Sequence, residues 1–232
     1  MIEIQNLAKK YSSQTVLDIS LLKIPAGQTF GLIGNNGAGK TTLFSCLLDL
    51  IKPTKGNVIN NQVDVSMSED WKSFTTAFLD ETFLIGYLMP EEYFYFIGEL
   101  RGLSKQKVDS FMSQFEDFFN GEILGGKKYI RDLSKGNQKK VGIVAALIGS
   151  PSVIILDEPF ANLDPTTQIR LKKIIKKLSS DDGVTVLISS HDLQDVTEVS
   201  ERIVLLEKGK IIKDIKTSKK TLKELESYFT KE

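Results

Sequence analysis

Apolar residues along this chain of 232 residues form several short runs that predict strands. Three of these runs lie near the N-terminus and three in the second half of the chain. They read TVLDISLLKI, QTFGLIG and the alternating MIEIQNL, followed later by SVIILDEP, GVTVLISSHD and ERIVLLEKGKII. The later runs are continuous and rich in Val, Ile and Leu, which is typical of a parallel sheet covered on both faces. Because Asp164 and Pro165 open a helix between them, the order predicts an α/β fold.

The segment from about residue 83 to residue 150 has a helical pattern instead. Two helices are predicted, one after Pro90 and one after Ser104. Their apolar stripes consist of Tyr93, Phe96, Ile97 and Leu100, and of Val108, Phe111, Met112, Phe115, Phe118 and Phe119. We therefore predict a single domain, 1–232, with a core of 1–82 and 151–232 and a helical subdomain of about 83–150.

Phenylalanine is concentrated in this part of the chain. Nine of the thirteen Phe residues lie between Phe74 and Phe119. They form either the core of the small subdomain or a partly exposed surface for a partner, because periodicity does not separate these two roles.

Composition limits the classes of function. The 30 basic residues balance the 30 acidic residues, so net charge gives no support to a nucleic-acid partner. The single cysteine, Cys46, forms no internal disulfide and lies among leucines, which indicates a reducing compartment and a buried, inert thiol. The N-terminus lacks the apolar core of a signal peptide, and the longest apolar stretch is too short to cross a bilayer. We expect a soluble chain.

A phosphate-binding loop is the strongest motif. The residues from Gly34 to Thr41, GNNGAGKT, match the pattern G-x-x-x-x-G-K-[ST], with an apolar strand before them and a helix after them. The residues assigned to this site are Gly34, Asn35, Asn36, Gly37, Ala38, Gly39, Lys40, Thr41 and Thr42. The glycines let backbone N–H groups face phosphate oxygens, Lys40 neutralises the terminal phosphates, and the Thr41 hydroxyl can ligate Mg²⁺.

Two carboxylates and the only histidine follow later strands. Asp157 and Glu158 end the run SVIILDEP, at the strand end where ligands collect in open parallel sheets. Because neighbouring strand residues point in opposite directions, Asp157 is assigned to Mg²⁺ and Glu158 to the attacking water. His191 ends another strand on the same edge, where it can donate to the terminal phosphate; position alone leaves an exposed or structural role equally open.

With these motifs in order, the whole chain resembles an ATP-binding-cassette (ABC) ATPase, the nucleotide-binding subunit of an ABC transporter. The resemblance implies a P-loop fold with a mixed, mainly parallel sheet, antiparallel N-terminal strands and a helical subdomain. It also implies ATP and Mg²⁺ as cofactors, stacking of Tyr11 on adenine, catalysis by Glu158, His191 and Lys40, and a loop at 161–164 that touches a second subunit.

The stretch LSKGN, Leu133 to Asn137, resembles the signature sequence of that family. There the helix start meets the terminal phosphate held by a second chain, so the resemblance implies a head-to-tail homodimer in which Ser134 and Gly136 contact ATP across the interface. From the residues alone, a plain helix capped by Ser134 is the alternative. Lys135 replaces the usual glycine of this motif and Asn137 replaces the usual glutamine.

Asp80 stands where the family has a glutamine that meets Mg²⁺ and links the site to the helical subdomain. Glu81 is the nearest competitor for this position. A carboxylate binds Mg²⁺ more strongly than an amide but donates no hydrogen bond.

The resulting hypothesis is a peripheral ATPase subunit on the cytoplasmic side of the membrane that powers transport through a separate transmembrane permease. It has no nucleic-acid partner and meets the membrane only through the permease. The unusual signature weakly favours export. The alternative is a soluble ABC ATPase that acts in repair or translation. Such proteins usually carry two cassettes, or a coiled-coil or nucleic-acid-binding insert. A third hypothesis, a module that no longer hydrolyses ATP, is opposed by Glu158 and His191.

Overall fold

The structure, a computed structural model, describes residues 1–230, and residues 231 and 232 lie outside the described residues. These described residues form ten strands and eight α-helices. The strands are β1 (Ile2–Tyr11), β2 (Gln14–Ile24), β3 (Thr29–Ile33), β4 (Lys55–Asn60), β5 (Val63–Asp64), β6 (Thr75–Phe78), β7 (Val153–Leu156), β8 (Thr185–Ser190), β9 (Arg202–Glu207) and β10 (Lys210–Lys216). The helices are α1 (Lys40–Leu47), α2 (Pro90–Leu100), α3 (Lys105–Met112), α4 (Glu116–Phe119), α5 (Lys135–Leu147), α6 (Pro165–Ser180), α7 (Leu193–Val199) and α8 (Thr221–Phe229).

Two sheets make up the strand framework. The smaller sheet is antiparallel and has the order β2-β1-β4-β5, which confirms the antiparallel N-terminal strands. The larger sheet has the order β10-β9-β3-β8-β7-β6, and only β10 runs antiparallel to its neighbour. The carboxyl ends of β3, β7 and β8 therefore lie side by side at one edge, where polar residues that follow the strands can meet.

Burial on both faces explains the continuous apolar runs. Every residue of β3, β7 and β8 is buried. In β8, Val186 and Ile188 pack with the helical segment, whereas Leu187 packs with the antiparallel sheet and α1. The main sheet is thus a central layer between two apolar cores, as parallel strands require.

The run ERIVLLEKGKII is a hairpin and not one strand. Glu207 pairs with Lys210, so Lys208 and Gly209 form the turn, and both have positive φ, 46° and 78°. A two-residue turn of this type matches the right-handed twist of its strands.

The helical segment differs from its predicted stripes. In α2, Phe94 is fully buried and stacks on Phe119 with ring centroids 5.8 Å apart, whereas Phe96 and Leu100 are exposed. Of the predicted stripe, Phe96 and Leu100 therefore lie on the surface, and the core contact is made by Phe94, which the stripe does not include. The second predicted helix is interrupted by a 3-10 turn at Ser113–Phe115 and divides into α3 and α4. The helices α2 to α5 lie within 83–150, and the division into core and subdomain stays a prediction.

Two further expectations concern burial and membrane spans. Cys46 is buried as expected, and burial raises the pKa of its thiol to about 11. Within residues 1–230, no helix has both the length and the apolar character that crossing a membrane requires.

Candidate functional site

The loop between β3 and α1 wraps a cavity of about 240 Å³. Its glycines are required by backbone geometry: Gly37 and Gly39 have φ of 81° and 108°, and a Cβ on Gly34 would lie 2.3 Å from the carbonyl oxygen of Leu206. Only glycine tolerates such conformations and contacts at low cost. The described residues that line the cavity are Val16, Asn35, Asn36, Gly37, Ala38, Gly39, Lys40, Thr41, Thr42 and Glu158.

Lys40 places a positive charge inside this loop. Its side chain is buried, and Nζ donates to the Gly34 carbonyl at 2.7 Å and lies 3.3 Å from Glu158 Oε1. A lysine ammonium held at the start of a helix, beside exposed N–H groups, is suited to binding phosphate oxygens.

Asp157 follows β7 and lies against two hydroxyl groups. Thr41 Oγ1 donates to Asp157 Oδ2 at 2.5 Å, and Ser189 Oγ donates to the other carboxylate oxygen. Burial raises the pKa of Asp157, and the hydrogen bonds from Ser189 and Thr41 oppose that rise.

A hydroxyl and a carboxylate in contact are the hard oxygen ligands that Mg²⁺ prefers, so Thr41 and Asp157 fit this metal. Among the described residues, no group of three or more His, Cys, Asp and Glu side chains could hold a metal ion. Thr41 and Asp157 are thus the described residues of the site that could contribute ligands to such a metal.

Glu158 has an unusual backbone conformation. Its φ of 47° is in the left-handed region, which is uncommon for a residue with a side chain. Its N–H donates to Ser189 Oγ at 3.0 Å, and its carbonyl accepts from Lys139 Nζ at 2.8 Å. Strain of this kind is concentrated at functional sites, where the surrounding structure holds it.

His191 completes this group of side chains. Its Nδ1 lies 2.9 Å from Glu158 Oε2, and its ring is more than half exposed. Because Asp192 caps α7 through the N–H groups of Gln194 and Asp195, the chain is fixed directly after the histidine. His191 is thus held beside the carboxylate while one side of its ring faces outward.

The signature stretch lies apart from this cavity. Ser134 caps α5 by accepting from the N–H of Asn137 at 3.2 Å. A Cβ on Gly136 would lie 2.8 Å from the carbonyl oxygen of Asn162, so this glycine allows α5 to approach the loop at 161–164. Neither Ser134 nor Gly136 belongs to the described residues that line the cavity at Lys40.

Asp80 and Glu81 point in different directions. Asp80 is exposed, and its Oδ1 accepts from Thr82 N at 2.7 Å to cap a short 3-10 helix. Although burial works to raise it, the pKa of Asp80 is lowered by the hydrogen bond from Thr82 and by the charges of Lys135 and Lys139. Glu81 is directed inward, with a side chain only 11% exposed and Oε1 3.6 Å from Lys139 Nζ.

Tyr11 is the last residue of β1 and is half exposed, with Lys9 Nζ 4.9 Å from its ring centroid. Within residues 1–230, the antiparallel sheet contributes Val16, and not Tyr11, to the cavity lining. Tyr11 therefore lies on the sheet that borders the cavity but outside the cavity itself.

Comparison with known proteins identifies the family. The model described as ABC transporter matches residues 17–161, more than half of the chain. The chain belongs to the ABC transporter family. It is 33% identical to the uncharacterized ABC transporter ATP-binding protein YhaQ of Bacillus subtilis, over 94% of this chain and 74% of that protein.

Other relatives of this ABC chain carry transport in their names. It is 32% identical to the lantibiotic transport ATP-binding protein SrtF of Streptococcus pyogenes, over 91% of this chain and 89% of that one. It is 30% identical to the bacitracin transport ATP-binding protein BcrA of Enterococcus faecalis, over 94% and 70%. The chain is thus an ATP-binding subunit of the transporter type.

Solved structures agree with this fold. An ATP-binding subunit of an ABC transporter is similar with a TM-score of 0.87, 25% identity and 99% coverage of both chains. A dimeric ATP-binding cassette, described as a post-hydrolysis state bound to ADP and Pi, has a TM-score of 0.83 at 24% identity, over 94% of this chain and 99% of that one. The predicted P-loop fold of ABC type is confirmed.

Within this ABC subunit, the structure brings together Lys40, Thr41, Asp157, Glu158 and His191, which the sequence had placed on three separate segments. It keeps Ser134, Gly136, Tyr11 and Asp80 outside that group. Between the two acidic candidates after β6, the geometry favours Glu81 over Asp80 as the inward carboxylate.

Sequence reasoning missed three residues of the site. Ser189 is a serine inside an apolar strand, and Lys139 is a lysine on a helix, where a solvent-exposed position is the usual expectation. Val16 follows the β1–β2 turn and touches the cavity from the other sheet. The signal available for Ser189 was its place two residues before His191, at the strand end where ligands collect.

Proposed function

We propose that this subunit binds Mg-ATP and hydrolyses it, as one of two copies in a head-to-tail homodimer that drives a separate transmembrane permease. The observation that carries the proposal is the position of Glu158, between the Lys40 ammonium at 3.3 Å and His191 Nδ1 at 2.9 Å. A carboxylate fixed beside a phosphate-binding loop is placed to orient and deprotonate an attacking water.

The residues of the site have different roles in this proposal. Backbone N–H groups between Gly34 and Gly39 and the Lys40 ammonium would bind the β- and γ-phosphates, and the oxygens of Thr41 and Asp157 would hold Mg²⁺. When bound, the metal neutralises charge that develops on the transferred phosphoryl group. His191 keeps the Glu158 carboxylate at the mouth of the cavity, and Tyr11 would stack on the adenine at the sheet border.

The position of the signature residues outside this cavity supports the homodimer. Ser134 and Gly136 begin an α-helix outside the cavity, so their N–H groups are available to an anion held elsewhere. We infer that they complete the phosphate site of a second copy. The loop at 161–164 would touch that copy as well. Because each copy gives its helix start to the other, the arrangement is head-to-tail.

A groove between the helical segment and the main sheet supports the permease partner. It encloses a cavity of about 460 Å³, and exposed apolar side chains lie along it. Those with the largest exposed fractions are Leu50, Phe83 and Leu100. Contiguous apolar surface of this kind marks a protein interaction site. A cytoplasmic segment of the permease is the occupant that we propose, which places the subunit at the cytoplasmic face of the membrane.

Transport is favoured over repair or translation by the relatives that are named for bacitracin and lantibiotic transport. Export is our prediction of direction and rests on the unusual signature. The cargo depends on the permease.

Hydrolysis is tested with two variants. Lys40→Ala should weaken ATP binding, because the loop loses its buried cation. Glu158→Gln should keep ATP binding and slow turnover by about 10²–10⁴-fold, the usual contribution of a positioned base. Turnover of Glu158→Gln close to that of the wild type would remove Glu158 from its role.

Assembly is tested by light scattering and by capture from membranes. Glu158→Gln with Mg-ATP should convert from monomer to dimer, because ATP that binds only the paired state shifts the equilibrium towards it. A monomer that has demonstrably bound ATP at every concentration would contradict the dimer. The tagged chain should retain a polytopic membrane protein from solubilised membranes and Leu100→Glu should not; a purely soluble set of partners for the wild type would favour the non-transport alternative.

A further inference from the structure

Three consecutive polar residues of α5, Gln138, Lys139 and Lys140, are buried. Two of them have partners within the helical segment. Gln138 Nε2 donates to the Ile130 carbonyl at 3.0 Å, and Lys140 Nζ binds Glu122 Oε2 at 2.8 Å. Lys139 is different, because its side chain leaves the helical segment and reaches the residue that follows Asp157.

Lys139 Nζ contacts two residues that lie outside the helical segment. It donates to the Glu158 backbone carbonyl at 2.8 Å and lies 3.6 Å from Glu81 Oε1. Glu81 Oε1 is buried and accepts no hydrogen bond from the described residues, so the Lys139 ammonium compensates its charge. The buried ammonium of Lys139 therefore connects α5 with Glu81, which follows β6, and with Glu158, which follows β7.

The backbone of Glu158 needs this support. With φ at 47°, Glu158 is held in the left-handed region, and the protein must fix the peptide groups on both sides of it. Ser189 Oγ fixes the N–H at 3.0 Å, and Lys139 fixes the carbonyl. If the carbonyl were released, rotation of this peptide would move the carboxylate away from Lys40 and His191.

We propose that Lys139 is a positioning residue for hydrolysis: it holds the Glu158 backbone so that the carboxylate faces the attacking water, and Glu81 holds Lys139. The inference rests on the proposed role of Glu158. Lys139 does not line the cavity at Lys40 among the described residues, so it acts on turnover and not on ATP binding.

The competing explanation is that Lys139 only contributes a buried ion pair to stability. The chain supplies its own control in the next residue, because Lys140 is also buried on α5 and also paired with a glutamate. Replacing Lys139 or Lys140 by Met removes a buried ammonium and keeps an unbranched side chain. Only Lys139→Met removes a bond to Glu158.

The experiment measures kcat and KM for ATP, together with thermal unfolding, for both variants. Lys139→Met should lower kcat by about 10- to 100-fold with KM unchanged, which is the cost expected when a catalytic group is misplaced by about 1 Å. Lys140→Met should lose thermal stability but keep kcat near the wild-type value. An equal loss of kcat in Lys140→Met, or an unchanged kcat in Lys139→Met, would overturn the proposal.

A second pair of variants separates position from charge. Lys139→Met leaves the Glu81 carboxylate uncompensated, and Glu81→Gln combined with Lys139→Met removes both charges together, which also protects folding. The double variant should keep the low kcat of Lys139→Met, because it still lacks the bond to the Glu158 carbonyl. If the double variant turned over as fast as the wild type, the loss in Lys139→Met would come from the uncompensated charge of Glu81, and Lys139 would have no positioning role.

The two levels of the proposal fail in different ways. If the wild type hydrolysed no ATP, the proposed function itself would be wrong. If the wild type hydrolyses ATP and Glu158→Gln does not, while Lys139→Met equals the wild type, only the role of Lys139 is refuted.

Discussion

Two parts of this subunit are suited to bind phosphate, and they differ in how their polar groups are satisfied. In the strand-end cluster, which consists of Lys40, Thr41, Asp157, Glu158 and His191, every member contacts another member. In the signature turn, which is Leu133–Asn137, the hydroxyl of Ser134 binds only the N–H of Asn137 among the contacts described, and Ser134 and Lys135 are exposed. The polar groups of the first part satisfy one another within one chain. The second part presents its groups outward, as a surface that serves another molecule does.

The sharpest way to break this contrast is a mixed dimer. One chain carries Lys40→Ala and the other carries Ser134→Asp. Asp caps helices as well as Ser does, so this change keeps the start of α5 and adds a carboxylate that repels phosphate. Each homodimer has two damaged sites and should be inactive. If the signature turn acts across the interface, the mixed dimer contains one intact site, and single-turnover hydrolysis should rise from near zero to about half the wild-type amplitude.

Ser134→Asn is the matched control for charge, since it caps the helix without adding a carboxylate, and its homodimer should hydrolyse ATP faster than that of Ser134→Asp. Gly136→Asp would be a poorer lesion, because any Cβ at this position meets the Asn162 carbonyl of its own chain. No recovery in a mixed dimer that forms and binds ATP would place the signature turn in the site of its own chain.

A second prediction concerns how the strand-end cluster is held together. Ser189→Ala removes the hydroxyl that binds Asp157 and accepts from the Glu158 N–H, so both carboxylates lose alignment at once. We expect kcat to fall by about 10- to 100-fold, in line with small displacements of catalytic groups. Ser190→Ala is the control, because the neighbouring hydroxyl binds Asp192 N instead. Equal kcat values for the two variants would show that Ser189 has no special part in the cluster.

The same contrast separates what the sequence could predict from what it could not. Gly34 to Thr42, Asp157, Glu158 and His191 follow strands, and local sequence therefore locates them at the shared sheet edge. Lys139 could not be found this way, because its burial depends on how α5 packs against the loop after β7, which is a tertiary contact.

The helical segment shows the same limit. The sequence EEYFYFIGEL is apolar on nearly all sides, so its period does not choose between Phe94 and Phe96. The choice is made by Phe119, which stacks on Phe94, and by Val108, which approaches Gly98 closely enough that no Cβ would fit there. These partners lie in other helices and leave no trace in the local pattern.

A third prediction tests whether the signature turn also has a role in its own chain. Gly136→Ala places a Cβ 2.8 Å from the Asn162 backbone oxygen. The better helix propensity of Ala contributes up to about 1 kcal/mol, and the overlap costs about 1–3 kcal/mol. The free energy of unfolding of the monomer should therefore fall by about 1 kcal/mol, and denaturant titration without nucleotide measures it. Lys135→Ala, at an exposed neighbour, is the control, and an unchanged or higher stability of Gly136→Ala would leave the glycine with an intermolecular role alone.

The smallest effect is expected for the change in stability when Asp157, in the strand-end cluster, is replaced by Asn. This replacement should raise the stability of the protein although it impairs function. Burial raises the pKa of Asp157, which means that the folded protein is destabilised by the ionised carboxylate. Asp157→Asn removes that charge, and the Thr41 hydroxyl, which can accept as well as donate, can still pair with the new amide. We expect Asp157→Asn to unfold at a higher temperature without nucleotide, by about 2–4 °C for each kcal/mol gained, and to lose the stabilisation by Mg-ATP.

The pH dependence gives the decisive measurement for Asp157. Because the folded pKa lies above the unfolded value of about 3.9, the folded state binds more protons between the two values, and the contribution of Asp157 to stability falls as pH rises through that window. Asp157→Asn has no titratable group at this position, so it lacks this pH-dependent contribution to stability. The difference in unfolding free energy between Asp157→Asn and the wild type should therefore be smallest below pH 4, grow as the pH rises, and level off above the folded pKa. A difference that is constant across this range would show that the ionised Asp157 carboxylate does not destabilise the folded protein. Burial would then not raise the pKa of Asp157.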